Sequence, residues 1–263
     1  MIIDTHAHIH FDEFSNILES IFETAASNRV ESIITVGTNE EDSQKALEFV
    51  NDPTVLSLAN DIRLYTTAGI HPHDANSDTR GLEKLKELIT VSKHKKSIKA
   101  VGECGLDYFK NHSSKTDQFK TLESQLELAR QLDLPVVFHV RDAWDDFFAI
   151  LKNHPGTKGV IHSFTGHPEH VEIASSNGLY FGINGIMTFT KDQKQLDALQ
   201  AIPKNLLLLE TDCPYLAPVP FRGKLNQPGY INEIAKFIAT ISYRDIDDIS
   251  SVTTQNAKEL FAI

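Results

Sequence analysis

An alternation constrains this chain more than any other feature. Short, nearly continuous apolar runs at residues 33–36, 98–101, 136–138, 159–161, 179–183 and 206–209 are separated by longer stretches of a different pattern. In those stretches apolar residues recur every three or four positions: Phe14, Ile17, Leu18, Ile21, Phe22 and Ala25; then Phe119, Leu122, Leu126 and Ala129; then Ile231, Ile234, Ala235 and Ile238. An apolar run without polar alternation predicts a strand buried on both faces, as in parallel sheet, and the second pattern predicts helices with one apolar face. Residues 1–5 and 66–70 bring the strand candidates to eight, each followed by a helical stretch. Eight βα units in about 250 residues is the arithmetic of a TIM barrel. The expectation is an α/β chain folded as one (β/α)8 barrel domain over 1–263, with a doubly wound open sheet as the competitor. No Gly-x-Gly-x-x-Gly or phosphate loop follows any strand to favour that competitor.

A chain of 263 residues that is 41% hydrophobic can bury its core without staples. Only Cys104 and Cys213 are present, which argues against a disulfide framework and fits a reducing compartment. The opening Met1-Ile2-Ile3-Asp4-Thr5-His6 lacks the pattern of a secretory signal, and no apolar run approaches the roughly 20 residues of a membrane span. The expected location is the cytoplasm, with no membrane partner. A net charge of -11 disfavours a protein that coats nucleic acid. It leaves an enzyme open, because bound cations can reverse the local field of a site.

Chemistry concentrates where the strands end. His6 and His8 stand two apart on the first strand, so both side chains leave on one face. Such a pair alone is also common as an ordinary hydrogen-bonded pair. The remaining candidates decide the matter: His71 closes the third strand, Glu103 the fourth, His139 the fifth, His162 the sixth and Asp212 the eighth. In a barrel those ends converge on one mouth, where catalytic side chains from different strands meet. The other seven of the 12 histidines, His73 among them, fall in helices and loops and read as ordinary.

This inventory is that of a hydrolytic site with two divalent metal ions. Glu103 is the natural bridge, with His6, His8 and Asp212 on one ion and His139 and His162 on the other. Asp212 would orient or deprotonate a water, and His71 would position the phosphate or assist the leaving group. Four imidazoles suit zinc, nickel or manganese better than an oxygen-preferring ion. Around the site, Arg141, Arg222 and Lys224 are candidates for holding phosphates. Tyr108 and Phe109 are candidates for stacking on a base. Cys104 and Cys213 read as packing residues.

Six segments carry a resemblance: Asp4-Thr5-His6-Ala7-His8, Ala68-Gly69-Ile70-His71-Pro72-His73, Val101-Gly102-Glu103-Cys104-Gly105-Leu106-Asp107, His162-Ser163-Phe164-Thr165-Gly166, Glu210-Thr211-Asp212-Cys213-Pro214-Tyr215 and Arg222-Gly223-Lys224-Leu225-Asn226. In this order, from Asp4 to Pro228, they resemble the TatD family of metal-dependent deoxyribonucleases. The resemblance implies an amidohydrolase-type barrel, the ligand roles above, and 3′ to 5′ exonuclease activity supported by magnesium or manganese; the net charge of -11 points to single-stranded ends, of DNA with RNA as the alternative. Ser163 departs from the family's frequent cysteine, and Gln227 from its frequent glutamate. Two rival readings stand beside it. One is an ester or amide hydrolase on the same scaffold, such as a D-aminoacyl-tRNA deacylase. The other is a non-catalytic metal-binding protein. A carboxylatable lysine at the end of the fourth strand would favour amide cleavage, and Glu103 occupies that place.

Overall fold

The computed structural model describes residues 1–76 and 80–263. All eight apolar runs are strands: β1 (Ile2–Ala7), β2 (Val30–Val36), β3 (Arg63–Ala68), β4 (Ile98–Asp107), β5 (Val136–Arg141), β6 (Gly159–Ile161), β7 (Tyr180–Ile183) and β8 (Leu207–Leu209). They pair in parallel, in the order β1 to β8. β8 returns to β1 through Asp212 N–H to the His6 carbonyl and His8 N–H to the Cys213 carbonyl, each 2.8 Å. The Thr5 hydroxyl adds a bond of 2.9 Å to the Leu209 carbonyl. The fold is the TIM barrel that the sequence pattern predicts.

Helices follow the strands: α1 (Leu18–Ser27), α2 (Glu40–Phe49), α3 (Pro53–Ala59), α4 (Arg80–Val91), α5 (Lys115–Leu132), α6 (Trp144–Asn153), α7 (Pro168–Ser176), α8 (Gln193–Ala201), α9 (Ile231–Ser242) and α10 (Ile246–Phe261). Side chains stop and start them. Asn39 accepts the Asp42 N–H ahead of α2, Asp52 accepts two N–H groups ahead of α3, and Ser114 accepts the Asp117 N–H ahead of α5. Each of these caps satisfies donors that the first turn leaves unpaired.

Two apolar clusters divide the interior. The larger lies between strands and helices. The smaller gathers Ile3, Ile34, Ala100, Val137, Val160 and Leu208 with Ala257, Leu260 and Phe261 of α10. Thr254 and Asn256 of α10 bond the carbonyls of Met1, Lys204 and Leu207, so this helix closes the end at which the strands begin. The strand period then sets what stands at the other end. Two residues beyond Val137 is His139, two beyond Val160 is His162, and two beyond Leu208 is Glu210. A two-residue step keeps a side chain on the same face of a strand, so the polar layer is stacked directly on the apolar one.

Candidate metal centre

β4 supplies the central carboxylate by leaving regular register. Its pairing with β5 shifts between Val101 and Cys104. Gly102 (φ 134°) allows this, since a Cβ there would meet the Val137 carbonyl at 2.5 Å. Glu103 is consequently held inside β4 rather than at its end. Its Oε1 lies 2.8 Å from His139 Nδ1, 3.0 Å from His162 Nε2 and 3.3 Å from His71 Nε2. Its Oε2 lies 3.4 Å from His6 Nε2. Burial alone would raise the Glu103 carboxyl, but the charges of His162 and His71 and the bonds from His139 and His162 outweigh it, holding the group well below the usual range. Glu103 is therefore an anion among imidazoles.

Asp212 completes the group from the loop after β8, three residues past the strand, in the left-handed region at φ 58°. Its Oδ1 lies 3.6 Å from His8 Nε2 and 3.8 Å from His6 Nε2. Burial pushes Asp212 up, and the His8 bond with the charges of His162, His6 and His8 more than reverses this. Behind it, Asp4 accepts bonds from the Thr211 N–H at 2.9 Å and the Thr211 hydroxyl at 2.6 Å. This fixes the loop that carries Asp212 onto β1.

Hydrogen bonds on the far ring nitrogens orient His8 and His139. His8 Nδ1 donates to the Val36 carbonyl at 2.9 Å, which turns Nε2 toward Asp212. His139 Nε2 lies 3.2 Å from Asp107 Oδ2, leaving Nδ1 toward Glu103. His162 Nδ1 makes no hydrogen bond, the nearby carboxylate oxygen Glu210 Oε1 standing 3.4 Å away. Glu210 is itself held by the Ser163 N–H at 2.6 Å. His71 differs from these three, because its Nδ1 accepts the His73 N–H at 3.1 Å, which puts the ring proton on Nε2, against Glu103. Burial, then the neighbouring histidines, lower His71 to about 4 against the pull of Glu103, so the ring is neutral at pH 7.

Both ring nitrogens of His6 are buried without a hydrogen-bond partner, although the ring stacks on His162 at 3.9 Å between centroids. Unpaired buried nitrogens are costly unless something ligates them. Three donor sets, His6/His8/Glu103, His6/His162/Asp212 and His71/Glu103/His139, each bring their donor atoms within 4.8 Å of one another. The chemistry fits a divalent cation with nitrogen and oxygen ligands. All seven residues expected at the mouth thus stand together, with one difference of detail. His8, His71, His162 and Asp212 lie just beyond their strands, and Glu103 and His139 lie within theirs.

Sequence reasoning missed three members. Asp107, Glu210 and His73 hold the site from behind, with His73 Nε2 2.9 Å from the same Asp107 oxygen that faces His139. His73, read as ordinary, belongs to this network. The signal was present in the two-residue steps His71–His73 and Leu208–Glu210.

The expected substrate contacts divide. Arg141 is exposed, its guanidinium 3.9 Å over the Phe109 ring. The Tyr108 hydroxyl donates to Asp146 at 2.7 Å and Lys115 sits 3.6 Å above the ring, so Tyr108 is engaged and Phe109 is the open aromatic. Arg222 donates to the Ala217 carbonyl at 3.0 Å and stacks 3.7 Å over Phe189. Lys224 lies 5.4 Å from the Phe221 ring.

Residues 3–262 match the family model described as TatD related DNase. The chain is 36% identical over 265 residues to the metal-dependent hydrolase YabD of Bacillus subtilis (strain 168), covering 100% of both. It is 33% identical to the 3′-5′ ssDNA/RNA exonuclease TatD of Rahnella sp. (strain Y9602), covering 92% of this chain and 91% of that one. Among solved structures, YjjV, a TatD homolog from Escherichia coli K12, superposes with a TM-score of 0.89 at 30% identity, covering 100% of this chain and 98% of that one.

Proposed function

The chain belongs to the TatD-related DNase family of metal-dependent hydrolases, and from that premise we propose that it cleaves phosphodiester bonds at the 3′ end of single-stranded DNA, and of RNA, with two divalent cations. The observation that carries this reading is the placement of Glu103, one carboxylate facing His6, His71, His139 and His162 at the barrel mouth, with Asp212 on the His6 and His8 side. In the proposal His6, His8, Glu103 and Asp212 would hold one ion, and Glu103, His139 and His162 would hold the other. Bound cations supply Lewis-acid stabilisation of the phosphate and a more acidic water.

The chain's own residues do the rest. Asp212, an anion at neutral pH, orients the attacking water and takes its proton. His71, neutral with its proton on Nε2, donates toward a phosphate oxygen or the leaving group. That Nε2 proton is why His71 is an auxiliary in this division of roles, since ligation through Nε2 would forfeit the bond from His73. Arg141, exposed at the end of β5 and without a carboxylate partner among the described residues, takes a neighbouring phosphate. A net charge of -11 repels a duplex at long range and favours an end that threads into the mouth. The family resemblance implies magnesium or manganese, and the nitrogen-rich donor set suits manganese, zinc or nickel better than magnesium.

The test is metal analysis of the purified protein followed by assays on end-labelled single-stranded DNA, RNA and D-aminoacyl-tRNA, with Glu103→Ala as control. Mononucleotides released stepwise from the 3′ end are expected. Release of D-amino acids without mononucleotides would replace a nuclease with a deacylase.

A further inference from the structure

Two large aromatic rings stand open at the barrel mouth, and each is tied to one side of the metal centre. Phe109 is 55% exposed, and its N–H donates at 2.9 Å to Asp107, whose other oxygen faces His139. Tyr215 is 54% exposed, its N–H donates at 3.0 Å to the Asp212 carbonyl, and its ring lies 6.5 Å from that of His8. Phe109 follows β4 and Tyr215 follows β8. In a barrel ordered β1 to β8 these strands stand opposite each other, so the rings flank the centre across the opening.

Their electrostatic surroundings differ. The Phe109 ring has the Arg141 guanidinium at 3.9 Å and the Lys110 ammonium at 5.6 Å. Arg141 has no carboxylate partner among the described residues, so it is open to an anion. Tyr215 has the opposite environment. No lysine or arginine stands over its ring among the described residues, and its backbone is bonded to Asp212, a carboxylate of the mouth. The cations of its own loop are turned elsewhere, Arg222 onto Phe189 and Lys224 toward Phe221. The cations of the mouth that stand by an open ring are therefore on the Phe109 side.

A single strand entering by its end has this asymmetry. Beyond the scissile phosphate lies one nucleoside with no further phosphate, and on the other side lies a strand that carries many. We propose that Phe109 and Tyr215 are nucleobase-stacking platforms, Tyr215 for the terminal base and Phe109 for the penultimate one, with Arg141 receiving the phosphate that follows. This rests on the phosphodiester reading above. Aromatic faces suit the task because every base presents a π-face, so grip comes without sequence preference.

The experiment uses the metal-loaded protein and an oligothymidylate of about eight nucleotides with phosphorothioate linkages, a length within the range single-strand sites cover. 2-Aminopurine, whose fluorescence stacking quenches, replaces the terminal or the penultimate base. Both positions should be quenched on binding to the wild-type protein. Tyr215→Ala should restore the terminal signal alone and Phe109→Ala the penultimate signal alone. Each should raise Kd about ten-fold, or ~1.4 kcal/mol per lost stack. Tyr215→Phe and Phe109→Tyr should keep the quench, which separates stacking from any change in folding. Absence of quenching in the wild type, loss of both signals together, or the reversed assignment overturns the proposal. Quenching as expected, with no hydrolysis of the ordinary phosphodiester, would instead overturn the nuclease reading and leave the platforms standing.

Discussion

The two layers inside this barrel share their strands and little else. At the closed end Ile34, Val137, Val160 and Leu208 pack beneath Phe261 with no ionisable group among them. One strand step above, His6, Glu103, His162 and Glu210 are just as buried and all ionisable. Aliphatic packing stabilises by removing apolar area from water, roughly 25 cal/mol per Å². Burying charges does the reverse unless each has a partner. The lesson is a division of labour: the lower layer makes the fold stable enough to hold an upper layer that works against folding.

The largest expected effect lies in the upper layer. Glu103→Ala should empty at least one metal position and lower turnover by about 10⁴-fold or more, several kcal/mol of charge stabilisation going with it. Its thermal unfolding midpoint should fall when both are metal-free, because truncation leaves the buried imidazoles of His139 and His162 without their carboxylate. A midpoint unchanged or raised would show that pairing with the imidazoles does not offset the burial of the Glu103 charge. His71→Ala sharpens it within the layer: metal content should be kept and turnover slowed by about 10²- to 10⁴-fold, the range of acid-base assistance. If metal is lost as completely as in Glu103→Ala, His71 is a ligand.

Leu208→Ala tests the lower layer. A loss of about 2–5 kcal/mol in urea unfolding is expected, with kcat per folded molecule within a few-fold of wild type. A large loss of kcat in the folded fraction would mean that the layers are not separable.

The smallest effect concerns Asp107, which joins the layers' chemistry to the rim. Burial would raise its carboxyl, but bonds from His139, Lys110 and His73 hold it far below its usual range. A depressed folded pKa contributes stability above the unfolded value and loses it as pH falls through the folded one. The stability gap between wild type and Asp107→Asn, measured without metal, should thus be full at pH 7 and shrink below about pH 4. A gap that stays constant to pH 3 would show that the Asp107 charge contributes nothing.

Legibility followed the same division. Strands were readable because an apolar run between helical periods has one physical outcome in a parallel barrel, and β6, only three residues long, was found with its bounds intact. His6, His8, Glu103, His139, His162 and Asp212 were readable because strand ends converge. What stayed hidden depends on neighbours distant in sequence. Glu210 fits only because Gly182 lacks a Cβ in its way. Tyr108 is engaged only because α6 brings Asp146 to it, which no local pattern around residue 108 reveals. The backbone bond that sets the His71 tautomer is likewise a product of the folded loop.

The seam between β1 and β8 has a consequence in time. Asp4 grips Thr211 across 207 positions of sequence, and the same closure brings Asp212 to His8. Such distant pairing forms only when the last strand arrives. On a ribosome, Asp212 is made more than two hundred residues after His6 and His8. Until then a nascent chain lacks a finished site, and under the proposed activity it stays inert for that stretch of its synthesis beside the nucleic acid that encodes it.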